Sequence, residues 1–241
     1  MRRLKSDIPA GVTERVTREY KEEWSEAKNE WIGPACLVRL EIRECIKNRR
    51  VVGERCYNAQ GQLVQEVPLK NGKKHGREIN WDDDGTLNLI EPYFEGKMHG
   101  IAKQYQNGRV IGTYKTIHGT GYDVWRGQIG DGRIFVSEIH PMSDGMIHGF
   151  QWRLNQDQLS VNEEKHWYKG KPHGIERDWR ERKLMRGYPK YWLHGEAVTK
   201  RQYVQAAQKD PTLPPFRLKD NSPRREFPPE IRRLLRPLKK R

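Results

Sequence analysis

A short glycine–histidine signature returns along this chain at a nearly fixed interval, and that recurrence limits the fold more than any other feature. Gly-x-x-His-Gly spans Gly72–Gly76, Gly96–Gly100, Gly145–Gly149 and Gly170–Gly174. The first glycines stand 24, 49 and 25 residues apart. One altered copy fits inside the long interval: Gly119-Thr-Gly121-Tyr-Asp-Val-Trp125 keeps the glycine and the aromatic but loses the Gly-x-x prefix. A repeat this short cannot bury its own apolar face, so each copy must lean on its neighbours. Gly72, His75, Gly76, Gly96, His99, Gly100, Gly145, His148, Gly149, Gly170, His173 and Gly174 read as structural turn residues.

The residues after each signature alternate in character. The first, third and fifth are Arg77, Ile79, Trp81; Ile101, Lys103, Tyr105; Phe150, Trp152, Leu154; and Ile175, Arg177, Trp179, nine of them apolar. Of the eight interleaved residues only Ala102 is apolar. This is the pattern of a strand with a dry face and a wet one. Polar turns then appear at Asp82–Gly85, Gln106–Gly108 and Gly130–Gly132, followed by return strands at Leu87–Ile90, Val110–Ile111 and Ile134–Val136. Asn-Gly and Asp-Gly tolerate the positive φ of tight hairpins. The last two copies lack that glycine at 154–158 and 179–183, which predicts wider turns. Residues 51–67 read as one more hairpin, and Val38, Leu40 and Ile42 as a first strand, with a short helix as the other reading. The fold class is mainly β: an elongated antiparallel sheet of hairpin repeats.

The ends differ. Val12, Val16, Tyr20, Trp24, Ala27 and Trp31 recur at steps of four and three, which predicts an amphipathic helix over 10–32 that covers the apolar face of the sheet or caps its edge. Pro9 suits its start and Gly33-Pro34 its end. Thr199–Gln208 predicts a short helix, 211–229 an extended Pro-rich stretch, and 229–236 a turn or two of helix. The expected organisation is a helical segment 1–36, a hairpin sheet 37–195, a helix and Pro-rich segment 196–216, and a basic tail 217–241.

Charge narrows the partners. The net charge is +14, and residues 217–241 hold 10 basic and 3 acidic side chains, half of that excess. Arg224, Arg225, Arg232, Arg233, Arg236, Lys239, Lys240 and Arg241 could contact phosphate, and deleting this tail should spare every hairpin. Eight Trp and ten Tyr supply hot-spot chemistry for a protein partner, with Trp125, Trp152, Trp167, Tyr168, Trp179 and Trp192 as candidates. Three cysteines, Cys36, Cys45 and Cys56, match neither a disulfide framework nor a zinc site. With no apolar run behind Met1–Asp7 and none long enough to span a bilayer, a cytoplasmic location is expected. The repeated histidines suggest a metal ladder, but Gly-bracketed turns use His for local hydrogen bonds, so no metal or other cofactor is expected. No P-loop, nucleophile elbow or dinucleotide motif stands in a fitting context, and Glu163-Glu164 beside His166 reads as surface charge. The chain is not expected to be an enzyme or to take a small-molecule substrate.

Gly-Lys-x-His-Gly with an aromatic five residues on, and Asn-Gly or Asp-Gly before the return strand, resembles MORN repeats. More narrowly, residues 51–195 resemble the bacterial MORN-variant proteins known as YwqK-type antitoxins, and Val198–Tyr203 with Asp210–Pro214 resembles the tail of bacterial members. The resemblance implies a sheet of hairpins and a non-catalytic scaffold that docks a protein, as an antitoxin or a defence-system accessory. Nucleic-acid binding, RNA or DNA held by the basic tail and surface aromatics, is the alternative. Anionic membrane lipid, which the resemblance also suggests, is a third.

Overall fold

The computed structural model describes residues 4–21, 23–25, 30–32 and 39–235, with side chains described for 4–17 and 41–235. Strands dominate, and among the described residues the strands pair antiparallel. The chain forms two compact units, residues 1–110 and 111–241. In the first, Thr13–Lys21 pairs with Arg39–Lys47. The order then continues through Arg50–Tyr57, Leu63–Lys70, Gly76–Trp81 and Leu87–Phe94 to Gly100–Gln106. In the second, the strand ending at Ile117 turns into Thr120–Gln128. Ile134–Ser143, Gly149–Leu154, Val161–Tyr168, Lys171–Arg180, Lys190–Leu193 and Glu196–Val198 come next, in that order. Each unit is therefore a meander in which sequence neighbours are spatial neighbours.

The glycine signatures mark the turns. Asn71-Gly72, Glu95-Gly96, Asp144-Gly145 and Lys169-Gly170 all have positive φ at both residues, the geometry that matches the twist of a hairpin. The altered copy turns at His118-Gly119, also with both φ positive. In three intact copies the histidine amide then donates to a proline carbonyl across the hairpin: His75 to Pro68 (2.9 Å), His99 to Pro92 (2.8 Å) and His148 to Pro141 (2.8 Å). The glycine after the histidine has φ between +103° and +140°, so His-Gly forms the irregular step where the strand resumes. The turn at 181–182 is not wide as expected. Arg180 faces Lys183, and Glu181 and Arg182 both take positive φ without a glycine.

The N-terminal helix is the main correction. Thr13–Lys21 is a strand, and the short strands Glu23–Ser25 and Glu30–Ile32 pair with each other, Trp24 facing Trp31. A step of four is even, so residues four apart share one side of a strand as surely as one side of a helix. The β-branched Thr13, Val16 and Thr17 favour the strand. Ala27 lies outside the described residues. Val16 is 51% exposed and so covers no apolar face.

The cover of the second unit is C-terminal. Helix α1, Lys200–Ala207, opens with a capping box in which Gln202 and Thr199 satisfy each other's amides. It brings fully buried Tyr203 onto Ile175, Tyr191 and Leu213. Helix α2, Pro229–Leu234, buries Ile231. Alternation also needs one correction: Ile79 and Ile175 are buried as expected, but in Gly100–Gln106 the buried side is Ala102 and Gln104, with Ile101 56% exposed. Parity decides which residues share a side; what packs on that side decides burial. Among the described residues no helix is long and apolar enough to cross a membrane.

A Cβ on Gly119 would press into the backbone nitrogen of Gly145, whereas one on Gly187 would meet open space at a similar φ. Gly119→Ala should therefore cost about 1–3 kcal/mol more than Gly187→Ala, as measured by urea unfolding of the second unit.

Candidate functional site

The signature histidines are packed into the turns beside aromatics. Phe94 lies between His75 and His99, with ring centroids 5.0 and 5.9 Å away. Tyr168 lies between His148 and His173 at 5.0 and 5.5 Å. His173 is fully buried and stacks on His194 at 4.2 Å. With Asp210, these two form a group whose ligand atoms approach within 4.8 Å, so a metal must be considered. The hydrogen bonds decide against it. Nδ1 of His173 accepts the backbone N–H of His194 at 3.0 Å, so in the neutral ring the proton is on Nε2, which donates to Thr212 Oγ1 at 3.0 Å. Neither nitrogen keeps a lone pair for an ion. His173 instead ties the turn at His194 to the loop after α1. Burial, together with the neighbouring His194, lowers its pKa below the ordinary 6.5. Burial does the same for His166, whose ring bonds to the His173 carbonyl.

The candidate aromatics divide into two groups. Trp167, Tyr168 and Trp192 are half-buried near the turns. The Lys165 ammonium sits between the two indoles, 5.0 Å from Trp167 and 4.9 Å from Trp192, while pairing with Glu176 at 2.9 Å. Trp167 donates to Gln151 Oε1 at 2.8 Å. Trp125 is also half-buried and donates to Asp123. Trp152 and Trp179, by contrast, lie under the C-terminal segment. Trp152 meets the ring of Phe227 edge-on, and Trp179 donates to the Asn221 carbonyl at 2.7 Å.

That segment is where charge patterning misleads. Arg225 forks onto the buried carboxylate of Glu164 at 2.7 and 3.1 Å and lies 5.0 Å over Trp179. Glu164 also accepts from buried Arg177 at 2.6 Å and from Trp152 Nε1 at 2.9 Å. Arg225 is thus a structural ion, and Glu164 is no surface acid. Arg224, Arg232 and Arg233 are exposed. Arg236, Lys239, Lys240 and Arg241 lie outside the described residues.

The first unit holds a second polar centre that no local motif announces. Glu14 accepts from Arg55 at 2.8 Å, from Arg43 at 3.2 Å and from the Tyr57 hydroxyl at 3.0 Å. Arg55 continues to the buried Glu66 at 3.1 Å. Burial alone would raise the Glu14 pKa, but the bonds from Arg55, Tyr57 and Arg43 outweigh it and hold it below 4.5. Burial pushes Tyr57 up to about 12 and the Cys45 thiol up to about 11, so Cys45 is an inert core residue. These partners are separated by up to 43 residues; only the pairing of Thr13–Lys21 with Arg39–Lys47 brings them together.

No family model matches the chain, and no curated protein matches it significantly in sequence.

This geometry has two measurable consequences. Unfolding lets the depressed histidines His166 and His173 take up protons that the folded state excludes. Their contribution is therefore full above pH 6.5 and lost as pH falls below it. The urea midpoint of the second unit should drop between pH 7.5 and 5.5, and should not respond to added Zn²⁺ at pH 7.5. Deleting residues 217–241 removes Arg225 from Glu164 and bares Trp152 and Trp179. It should cost about 3–5 kcal/mol in the same measurement rather than leave the hairpins untouched.

Proposed function

We propose that this protein is a non-catalytic binding scaffold of the MORN-variant kind that docks a protein partner on the turn side of its second unit. The observation that carries this reading is the pair of indoles Trp167 and Trp192 around Lys165, with the neighbouring Tyr168 ring under the Lys169 ammonium. Half-exposed indoles gathered around a cation, one of them fixed by the Trp167 hydrogen bond to Gln151, are the kind of anchor that dominates protein interfaces. The resemblance to YwqK-type antitoxins makes a toxin or another defence component the first partner to test.

Nucleic-acid binding is the second reading, favoured by the exposure of Arg224, Arg232 and Arg233. It loses Arg225 to Glu164, and Phe227 is 6% exposed, too covered to stack on a base.

Affinity capture from the native host at moderate salt tests both. For the captured protein, Trp167→Ala and Trp192→Ala should each weaken binding by about 2 kcal/mol, measured by calorimetry, with circular dichroism unchanged. A nucleic-acid ligand would instead survive both substitutions and weaken steeply with salt.

A further inference from the structure

Residues Ser222–Phe227 lie on the second unit as a bound peptide lies on a receptor. The Val161 amide donates to the Pro223 carbonyl and the Arg225 amide to the Leu159 carbonyl, both at 3.0 Å. Ser160 and Arg224 form an antiparallel bridge. Alternate side chains then face inward: Arg225 onto Glu164 and Trp179, Phe227 onto Trp152 at 5.5 Å and 87°. Arg224 and Glu226, between and beside them, stay exposed. Main-chain bonds combined with alternate side-chain pockets are the physics of β-strand addition.

The occupant displays the specificity of the site. Glu164 takes a two-toothed donor, which arginine offers and lysine does not. The Trp179 face rewards a planar cation, and Trp152 rewards an aromatic ring edge. An acidic peptide would meet a buried carboxylate.

We propose that Glu164, Trp152 and Trp179 form a peptide-binding site that the chain fills with its own Ser222–Phe227. A partner protein presenting an extended Arg-x-aromatic stretch enters this site by displacing that segment. The site is separate in its residues from the Trp167–Trp192 cluster, so either surface can fail without the other.

A labelled synthetic peptide with the sequence Asn221–Glu230 is the probe, read by fluorescence anisotropy on the full-length protein. A tethered segment competes at an effective concentration of roughly millimolar, so the full-length Arg225→Ala variant should bind the probe at least about 10-fold more tightly than the wild type. The same peptide with alanine at the Arg225 position should show no such gain. Equal binding of both peptides, or no gain over the wild type, overturns the proposal. Hydrogen exchange on the wild type tests it without any substitution. Local release predicts that the Arg225 amide exchanges at least about 100-fold faster than the protected amides of Lys171–Arg180. Equal protection would mean that the segment leaves only when the unit unfolds, and would refute the proposal.

Discussion

The architecture depends on one backbone hydrogen bond made at successive turns. The amide of a turn glycine points out of its own hairpin and donates to a carbonyl one repeat earlier: Gly96 to Lys74, Gly145 to Gly119, Gly170 to Ile147 and Gly195 to Pro172. In three cases the acceptor immediately precedes a signature histidine, and in the altered copy it precedes Thr120. Such a bond requires positive φ at the turn, where glycine is unstrained. It also requires each hairpin to go out and back in a set length, so the period of the sequence is the length of that excursion. The altered copy has two residues fewer between its turn glycine and Gly121 than the intact copies have between theirs and the glycine after histidine. An even deletion leaves the faces of the next strand unchanged.

A meander bound along its turns still leaves two faces, and each must be covered or made polar. In the second unit the cover comes from the chain after residue 198. Tyr203, Leu213, Phe227 and Ile231 are all buried there, and the Tyr203 hydroxyl, donating to the Pro214 carbonyl, fixes the path of the Pro-rich stretch. That path brings Asn221 to Trp179 and Arg225 to Glu164. Helix α1 thus positions a contact many residues further along the chain.

Strands and turns were legible because period-two alternation and glycine dipeptides are local signals. What failed were inferences that need a partner. The steps of four from Val12 to Trp24 fit a helix face and a strand side equally, and only the pairings of Thr13–Lys21 with Arg39–Lys47 and of Glu23–Ser25 with Glu30–Ile32 separate them. Glu14, Arg43, Arg55 and Tyr57 look like four solvated polar residues until three strands set them side by side. His173 carries the same signature as His75 and His99, yet its two ring nitrogens are bonded to chain outside its own hairpin, at Thr212 and His194, and the repeat does not encode those partners.

The clearest case is the Glu164 cluster, since charge counting reads it with the wrong sign of importance. A tail with +7 invites an external anion, but one of its arginines has already found an internal one. The pairing is no simple gain in stability: the cluster carries two arginines on one carboxylate, and Nη2 of buried Arg177 finds no hydrogen-bond partner among the described residues. Desolvating three charges and leaving a donor unmet offsets much of their attraction, and well-packed apolar residues often do as well. What an apolar patch cannot do is choose its occupant. A carboxylate bonded to the Trp152 indole, with the Trp179 ring placed under the incoming cation, accepts a guanidinium at one register and rejects the chain one residue out of step, because the next position would turn Arg225 to solvent. The cluster therefore acts chiefly to select which segment lies on the sheet and in what alignment, and a site that selects its occupant by chemistry is also one that another chain of the same chemistry can enter.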